Sequence, residues 1–259
     1  LLNPPQREAI RYLDGPLLVL AGAGSGKTRV ITQKIAYLIE DCGFSPSNIA
    51  AITFTNKAAK EMQERIGKLL KDKPKGLTIS TFHSLGVRIL REEAKALGYK
   101  PRFSIFDSTD CYGIISDLSG SVDKATIRRL QTLISNWKNA LTSPDLALKN
   151  AESETEKLAA LAFASYSATL KAYQAVDFDD LISLPVELFD KHPEILDKWQ
   201  NRLRYLLVDE YQDTNACQYR LLKQIAGPRA AFTAVGDDDQ AIYGWRGADI
   251  ENLRGLPRD

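Results

Sequence analysis

Five short apolar runs recur along the chain, and longer stretches with helical periodicity separate them. The runs occupy residues 17–20, 49–54, 77–81, 205–208 and 232–235. Most of their side chains are apolar without alternation, which is typical of strands covered on both faces. Because a turn and an amphipathic stretch follow each run, the pattern predicts an α/β fold with a parallel sheet.

The pattern changes between residues 84 and 190. Strand-like runs are lacking there, and helical periodicity dominates, as in residues 127–141 and 158–173. Glycine and proline turn signals separate these helical stretches. We therefore predict an α/β domain made of residues 1–83 and 191–259, with an inserted all-α subdomain over residues 84–190.

The composition is that of an ordinary globular protein. Of the 259 residues, 44% are hydrophobic and 26% are charged, and no apolar run approaches the roughly 20 residues of a membrane helix. The first residues lack the basic start and apolar stretch of a secretion signal. We expect a cytoplasmic protein that has no membrane partner.

The cysteine content and the net charge limit the kinds of binding site that the chain can form. Three dispersed cysteines and two histidines provide no zinc-site spacing, so we expect reduced thiols. The net charge is +1, which excludes a broadly basic nucleic-acid surface. Any contacts with DNA should therefore be local and partly made by stacking.

A glycine-rich segment follows the first apolar run. It consists of Ala21, Gly22, Ala23, Gly24, Ser25, Gly26, Lys27 and Thr28. Small residues let backbone N–H groups surround phosphate oxygens, and the helical run after them adds the positive end of its dipole. Lys27 can reach the β- and γ-phosphates, and the Thr28 hydroxyl can bind Mg²⁺. A flexible Gly/Ser turn is the alternative, but the order strand, loop, Gly-Lys-Thr and helix favours a nucleoside triphosphate site.

Two adjacent carboxylates follow the fourth apolar run. Asp209 and Glu210 would lie at the carboxyl edge of the sheet, where ligands of α/β proteins gather. Asp209 is suited to holding Mg²⁺, and Glu210 to orienting or deprotonating the attacking water. The alternative is an acidic helix N-cap.

Long motifs carry a family resemblance. The string from Asp209 to Asp213 and the segment 235–248 resemble the Rep/UvrD/PcrA group of superfamily 1 DNA helicases, most of all the Rep type. Further matching segments are residues 2–6, 53–59, 80–84 and 177–181. The resemblance covers essentially the whole chain.

The resemblance implies a RecA-like P-loop domain that uses ATP and Mg²⁺. The family hydrolyses ATP to move 3′ to 5′ on single-stranded DNA and to separate strands during replication or repair. By this likeness Gln6 would read the adenine edge, Arg29 would lie against the base or sugar, and Gln240 would sense the γ-phosphate and act in catalysis with Lys27, Asp209 and Glu210.

The same resemblance places single-stranded DNA on aromatic and polar residues. Stacking of bases on aromatic rings contributes about 1–3 kcal/mol per base without reading sequence. The expected contacts are Phe54, Thr55, Asn56, His83, Tyr243, Trp245 and Arg246. Core packing is the alternative for the aromatic residues, a local hydrogen bond for His83, and a carboxylate partner for Arg246.

The chain stops at Asp259 without a closing helix or strand, so we expect an N-terminal fragment. The helicases that this chain resembles hold ATP between two RecA-like domains. Arginines of the second domain stabilise the charge on the transferred phosphoryl group, and arginine fingers of this kind accelerate the transfer by about 10³–10⁵-fold in other enzymes. We therefore expect a monomeric fragment that binds Mg-ATP weakly, hydrolyses it slowly and does not unwind DNA. The motor module of a helicase–nuclease and a non-catalytic ATP-dependent binding module are the competing interpretations.

Overall fold

A computed structural model describes residues 4–20, 26–72, 74–229, 231–237 and 254–255. The described residues form two compact units. The sheet unit comprises those up to Phe82, His192–Thr214 and those from Leu222 onward. The helical unit comprises His83–Lys191 and Asn215–Leu221. Within the described ranges, no helix has both the length and the apolar character needed to cross a membrane.

Helices and strands alternate through the first third of the chain, helices dominate the middle, and the alternation then resumes. In chain order the elements are α1 Pro4–Arg11, β1 Leu17–Leu20, α2 Lys27–Glu40, β2 Ile49–Thr53, α3 Asn56–Leu69, β3 Thr78–Thr81, α4 Phe82–Glu93, β4 Ser104–Ile105, α5 Ser108–Ser119, α6 Lys124–Asn139, α7 Pro144–Lys149, α8 Glu154–Ala172, β5 Ala175–Val176, α9 Asp180–Lys191, α10 Pro193–Arg202, β6 Tyr205–Val208, α11 Ala216–Ala226, β7 Phe232–Gly236 and β8 Arg254–Gly255.

The main sheet has the order β3-β2-β6-β7-β1-β8, and every pairing in it is parallel. The five predicted strands are confirmed, with ends that differ by at most one residue. The edge strand β8 was not predicted. All residues of β2, β6 and β7 are buried, as expected where helices cover both faces of a sheet. The prediction of an α/β fold with a parallel sheet is therefore confirmed.

The core of the sheet unit joins the first helices to the strands. Ile31, Ile35 and Leu38 of α2 are fully buried, and they belong to the same apolar cluster as Ile49 and Leu207 of the strands. Positions three and four apart on a helix share a face. Helix α2, which follows the glycine-rich segment in the sequence, is thereby anchored in the core through this face.

The helical unit has its own core beneath α5, α6 and α8. The expectation that this insertion is all-α is wrong in one detail. Strands β4 and β5 pair in parallel, with Ser104 opposite Ala175 and Ile105 opposite Val176. Two-residue strands are too short to produce a period in the sequence, which explains why the pattern did not indicate them.

A buried ionic group stabilises the start of α9 in the helical unit. The Lys138 ammonium lies 2.8 Å from a carboxylate oxygen of Asp177 and 2.9 Å from one of Asp180. The two aspartates also accept each other's backbone N–H groups. Burial lowers the pKa of Lys138, but the charges and hydrogen bonds of the two carboxylates outweigh this effect, so that the pKa lies above its ordinary value. These two carboxylates therefore cap each other's backbone and pair with a buried lysine.

Candidate functional site

The carboxyl edge of the sheet brings three chain segments together. Strand β7 lies between β6 and β1, and Leu20 of β1 is in register with Gly236 of β7. In the sequence, β1 is followed by the glycine-rich segment, β6 by Asp209 and β7 by Asp237. The parallel register therefore places the carboxyl ends of β1, β6 and β7 at one edge of the sheet.

Lys27 is the first residue of α2, and its side chain is only 10% exposed. Its ammonium lies 3.7 Å from Glu210 Oε1 and forms an ion pair with the Asp237 carboxylate. Gly26 caps the helix with φ 81°, in the left-handed region that favours glycine. The predicted phosphate-binding residues Ala21, Gly22, Ala23, Gly24 and Ser25 lie outside the described residues.

Asp209 is a buried carboxylate at the end of β6. Its backbone N–H donates to the Ile52 carbonyl of β2, and its Oδ1 accepts the Glu210 N–H at 2.9 Å. Burial, together with the neighbouring Glu210 charge, raises the pKa of Asp209. A cation bound beside it would offset both effects.

Glu210 has an unusual backbone for a residue with a side chain. Its φ of 51° and ψ of 45° lie in the left-handed region, which costs a non-glycine residue about 1 kcal/mol or more. The turn Tyr211–Asp213 follows directly, and Asp213 N–H donates to the Glu210 carbonyl at 2.9 Å. This conformation turns the Glu210 side chain away from the strand direction and toward Lys27.

Gln212 lies between Glu210 and Asp237 and was not among the predicted site residues. Its Nε2 lies 2.5 Å from Glu210 Oε2, and its Oε1 accepts the Asp237 N–H at 3.0 Å. Gln212 belongs to the string from Asp209 to Asp213, which contributes to the family resemblance. Its contact with Asp237 spans 25 positions, so no local pattern could have indicated that contact.

The predicted nucleotide-base residues lie on α1 and at the start of α2. A Cβ placed on Gly26 would lie 3.7 Å from Gln6 Nε2 and 3.8 Å from Arg29 Cβ, so Gln6 and Arg29 flank that glycine. Gln6 and Thr28 are partly exposed, and Arg29 is exposed. Gln6 and Arg29 thus lie beside the glycine that precedes Lys27, and Thr28 follows that lysine in the sequence.

Lys34 joins α1 to α2 and was also missed. Its ammonium is fully buried and donates to the carbonyls of Ala9 at 2.9 Å and Tyr12 at 2.7 Å. The group also lies 5.4 Å from the centre of the Tyr205 ring. Burial lowers the pKa of Lys34 to about 7. The helix that carries Gln6 is therefore attached to the helix that begins with Lys27.

The residues predicted to contact DNA in the sheet unit follow β2. The Phe54 ring is partly exposed and packs against Phe82, with centroids 5.1 Å apart. Thr55 is the exposed N-cap of α3, and its hydroxyl oxygen accepts the Ala58 N–H at 3.0 Å. Its O–H hydrogen is still able to donate to another acceptor. Asn56 is exposed at the first position of the helix.

His83 lies in the helical unit, near the start of α4, and is partly buried. Burial lowers the pKa of its imidazole. The ring meets Phe178 edge-on, with centroids 6.3 Å apart, and Phe178 is 52% exposed. Sequence reasoning did not select Phe178, although its motif segment contributed to the resemblance. The predicted residues Gln240, Tyr243, Trp245 and Arg246 lie outside the described residues.

Comparisons with known proteins agree with the resemblance in the motifs. The family described as UvrD/REP helicase N-terminal domain matches residues 2–259. The chain is 52% identical over 262 residues to the ATP-dependent DNA helicase Rep of Escherichia coli (strain K12). It is 46% identical over 262 residues to the ATP-dependent DNA helicase PcrA of Staphylococcus aureus (strain Mu50 / ATCC 700699). All of this chain is covered, but only 39% and 36% of these two relatives, respectively.

Proposed function

Because the chain belongs to the UvrD/REP helicase N-terminal domain family, we propose that it is the ATP-hydrolysing domain of a 3′ to 5′ DNA helicase that moves on single-stranded DNA. The chain spans less than two fifths of the relatives named above. The proposal therefore assigns a second RecA-like domain to the full-length protein. Replication or repair of DNA is the proposed setting.

The juxtaposition of Lys27 and Glu210 supports this function most directly. The ammonium, on the first residue of α2, and the carboxylate, just after β6, lie 3.7 Å apart. Phosphoryl transfer needs a cation for the phosphate oxygens beside a group that orients the attacking water. A purely structural ion pair would not require the left-handed backbone at Glu210.

Each residue then has a distinct role in hydrolysis. Lys27 binds the β- and γ-phosphates, together with backbone N–H groups of Ala21, Gly22, Ala23, Gly24, Ser25 and Gly26. Glu210 orients the attacking water and takes its proton. Gln240 senses the γ-phosphate. Gln6 and Arg29 hold the adenine and sugar, and the position of Gln6 beside Gly26 supports this assignment.

Asp209 and Thr28 have the donor chemistry that a magnesium ion requires. The Asp209 carboxylate and the Thr28 hydroxyl are hard oxygen donors of the kind that Mg²⁺ prefers. The raised pKa of Asp209, caused by burial and by Glu210, identifies a carboxylate that a cation would stabilise in its charged form. When bound, the ion would neutralise charge that develops on the phosphate oxygens.

For DNA, the proposal uses Phe54, Thr55 and Asn56 in the sheet unit and His83 in the helical unit. Tyr243, Trp245 and Arg246 complete the set. The partial exposure of the Phe54 ring leaves part of its surface available for a base. Phe178 is added to the set because its exposed ring lies against His83. Stacking of this kind holds single strands without reading their sequence.

The proposal also covers organisation and location. Residues 1–83 and 191–259 are proposed as the ATP-binding domain, and residues 84–190 as its helical insertion. The two compact units, which divide after Phe82 and after Lys191, support these limits. The 259-residue chain is proposed to be monomeric, and the full-length protein to be cytoplasmic, where its DNA and ATP are found.

Two substitutions in the full-length protein test the assignment. Lys27→Ala should abolish ATP turnover and weaken ATP binding, because the phosphates lose their cation. Glu210→Gln should lower kcat by roughly 10²–10⁴-fold, the usual contribution of a general base, while ATP binding is retained. Turnover and the binding of a fluorescent ATP analogue are measured in parallel.

Lys157→Ala is the matched control, since its exposed ammonium makes only a helix-surface pair with Glu154, and it should behave as the parent protein. Normal turnover in Glu210→Gln would remove Glu210 from the role of base. Loss of ATP binding in that variant would contradict the division of roles between Glu210 and Lys27.

A further inference from the structure

We propose that Gln212 is the positioning residue for Glu210 and that it links this carboxylate to the end of strand β7. The inference rests on the proposed function, because it concerns the residue assigned there as the base. Gln212 contacts both Glu210 and Asp237. Neither the motif chemistry nor the proposed roles give this glutamine a task.

The hydrogen bonds fix which way the Gln212 amide faces. The backbone N–H of Asp237 can only donate, so the oxygen of the amide must face it. The amide nitrogen is then directed at carboxylates, at 2.5 Å from Glu210 Oε2 and 3.4 Å from Asp237 Oδ2. Reversing the amide would bring its oxygen against two anions and its N–H₂ group against a donor. A single orientation therefore satisfies all three contacts.

Gln212 itself is attached to a rigid turn. The neighbouring Tyr211 is fully buried, and its carbonyl accepts the Thr214 hydroxyl at 2.7 Å. On the opposite side, a Cβ placed on Gly236 would lie 2.9 Å from Gln212 Oε1. Strand β7 thus ends in a residue without a side chain where the glutamine approaches. The amide is held between a fixed turn and a fixed strand end.

Glu210 needs such an anchor. Its side chain is 40% exposed, and a half-exposed glutamate samples several rotamers unless a partner selects one. The short bond from the Gln212 amide holds Oε2, which leaves Oε1 on the side of Lys27. Gln212 therefore selects the rotamer in which one oxygen faces the phosphate-binding lysine.

The contact with the end of β7 also connects Gln212 to the chain segment that leads to Gln240. Asp237 pairs with Lys27 through its carboxylate and with Gln212 through its N–H group. Lys27, Asp237, Gln212 and Glu210 thus form a closed set of contacts. Asp237 precedes Gln240 by three positions in the sequence. A displacement of the chain after β7 would act on Glu210 through Gln212, so that γ-phosphate sensing and water activation are coupled.

Gln212→Glu in the full-length protein tests the donor directly. The substitution keeps an oxygen for the Asp237 N–H group but replaces the donor to Glu210 by a second negative charge. We expect kcat for ATP to fall roughly 10- to 100-fold, as when a reacting group is displaced by about 1 Å, with KM changed less than twofold.

Two further variants keep the test decisive. Gln212→Asn retains the amide but is one methylene too short to span both partners, so kcat should fall in this variant too. Gln200→Glu is the matched control: its amide donates to the Gln224 carbonyl at 2.8 Å, away from the site, and kcat should equal that of the parent. Thermal unfolding of each variant identifies any loss of the fold.

Combination with Glu210→Gln separates positioning from general support of the structure. Gln212→Glu should reduce the residual single-turnover rate no further when Glu210 is already neutral. An equal loss of rate in both backgrounds, or an unchanged kcat in a folded Gln212→Glu protein, would overturn this inference but leave the proposed function standing. A parent protein that does not hydrolyse ATP would instead overturn the proposed function on which it rests.

Discussion

At the scale of single residues, contacts between distant parts of the chain decided what the sequence could indicate. Lys27, Asp209 and Glu210 were predicted as site residues because each belongs to a short motif that directly follows a predicted strand. Lys34 and Gln212 were missed because each is held by a contact with a residue 25 positions away. A lysine inside an amphipathic helix looks like an ordinary surface residue until the fold shows that its ammonium is buried.

The buried Lys34 predicts a specific dependence of stability on pH. Its pKa in the folded protein is about 7, compared with an ordinary value of 10.5. The unfolded chain therefore binds the proton more tightly, and the free energy of unfolding should rise with pH between about 7 and 10, by an amount on the order of a few kcal/mol. A neutral amine retains two N–H donors, so the bonds to Ala9 and Tyr12 persist as the proton leaves.

Urea unfolding at several pH values measures this effect. The part of the pH slope that is due to Lys34 should disappear in Lys34→Met, whereas the exposed Lys157→Met should keep the parent slope. An identical slope in the parent and in Lys34→Met would show that the buried ammonium does not titrate in this range.

At the scale of elements, length decided which strands were predictable. Runs 17–20 and 205–208 agree with β1 and β6 residue for residue. A short unbroken apolar run bounded by turn signals is typical of a buried strand. The two-residue strands β4, β5 and β8 carry no period and depend on partners far along the chain. The helical insertion was predictable from its periodicity, but its small strand pair was not.

The packing of α4 against α9 allows no side chain at Gly86. A Cβ placed there would lie 1.7 Å from the Leu181 carbonyl oxygen, which is backbone and cannot rotate away. Gly86→Ala should therefore lower the free energy of unfolding by at least about 1–3 kcal/mol, the usual cost of overpacking a core. Thermal or urea unfolding measures the change.

Gly113→Ala supplies the matched comparison on another helix of the same unit. Gly113 is exposed within α5, and a Cβ there meets nothing within 4 Å. This alanine should raise stability by roughly 0.5–1 kcal/mol through helix propensity and reduced freedom of the unfolded chain. If Gly86→Ala were as stable as Gly113→Ala, the close approach of α4 to α9 would be contradicted.

At the scale of the whole molecule, the sheet arranges chemistry by strand position. Strands β1, β6 and β7 end at the residues proposed for ATP, and β2 and β3 end at Phe54 and at the segment that contains His83. Because all these strands are parallel, their carboxyl ends share one edge. The order of the motifs along the chain is the basis for proposing this division of the edge. The grouping of Asn215–Leu221 with the helical unit, by contrast, depends on tertiary packing that no motif indicates.

Titration of single-stranded DNA into a steady-state ATPase assay of the full-length protein tests the central claim, that ATP hydrolysis at Lys27 and Glu210 serves movement on a DNA strand. The proposal predicts that turnover rises with DNA concentration to a plateau and that Glu210→Gln abolishes the rise. Fluorescence anisotropy of the same labelled strand reports its binding in the same solutions. Turnover that stays at the DNA-free rate while anisotropy shows the strand bound would contradict the account.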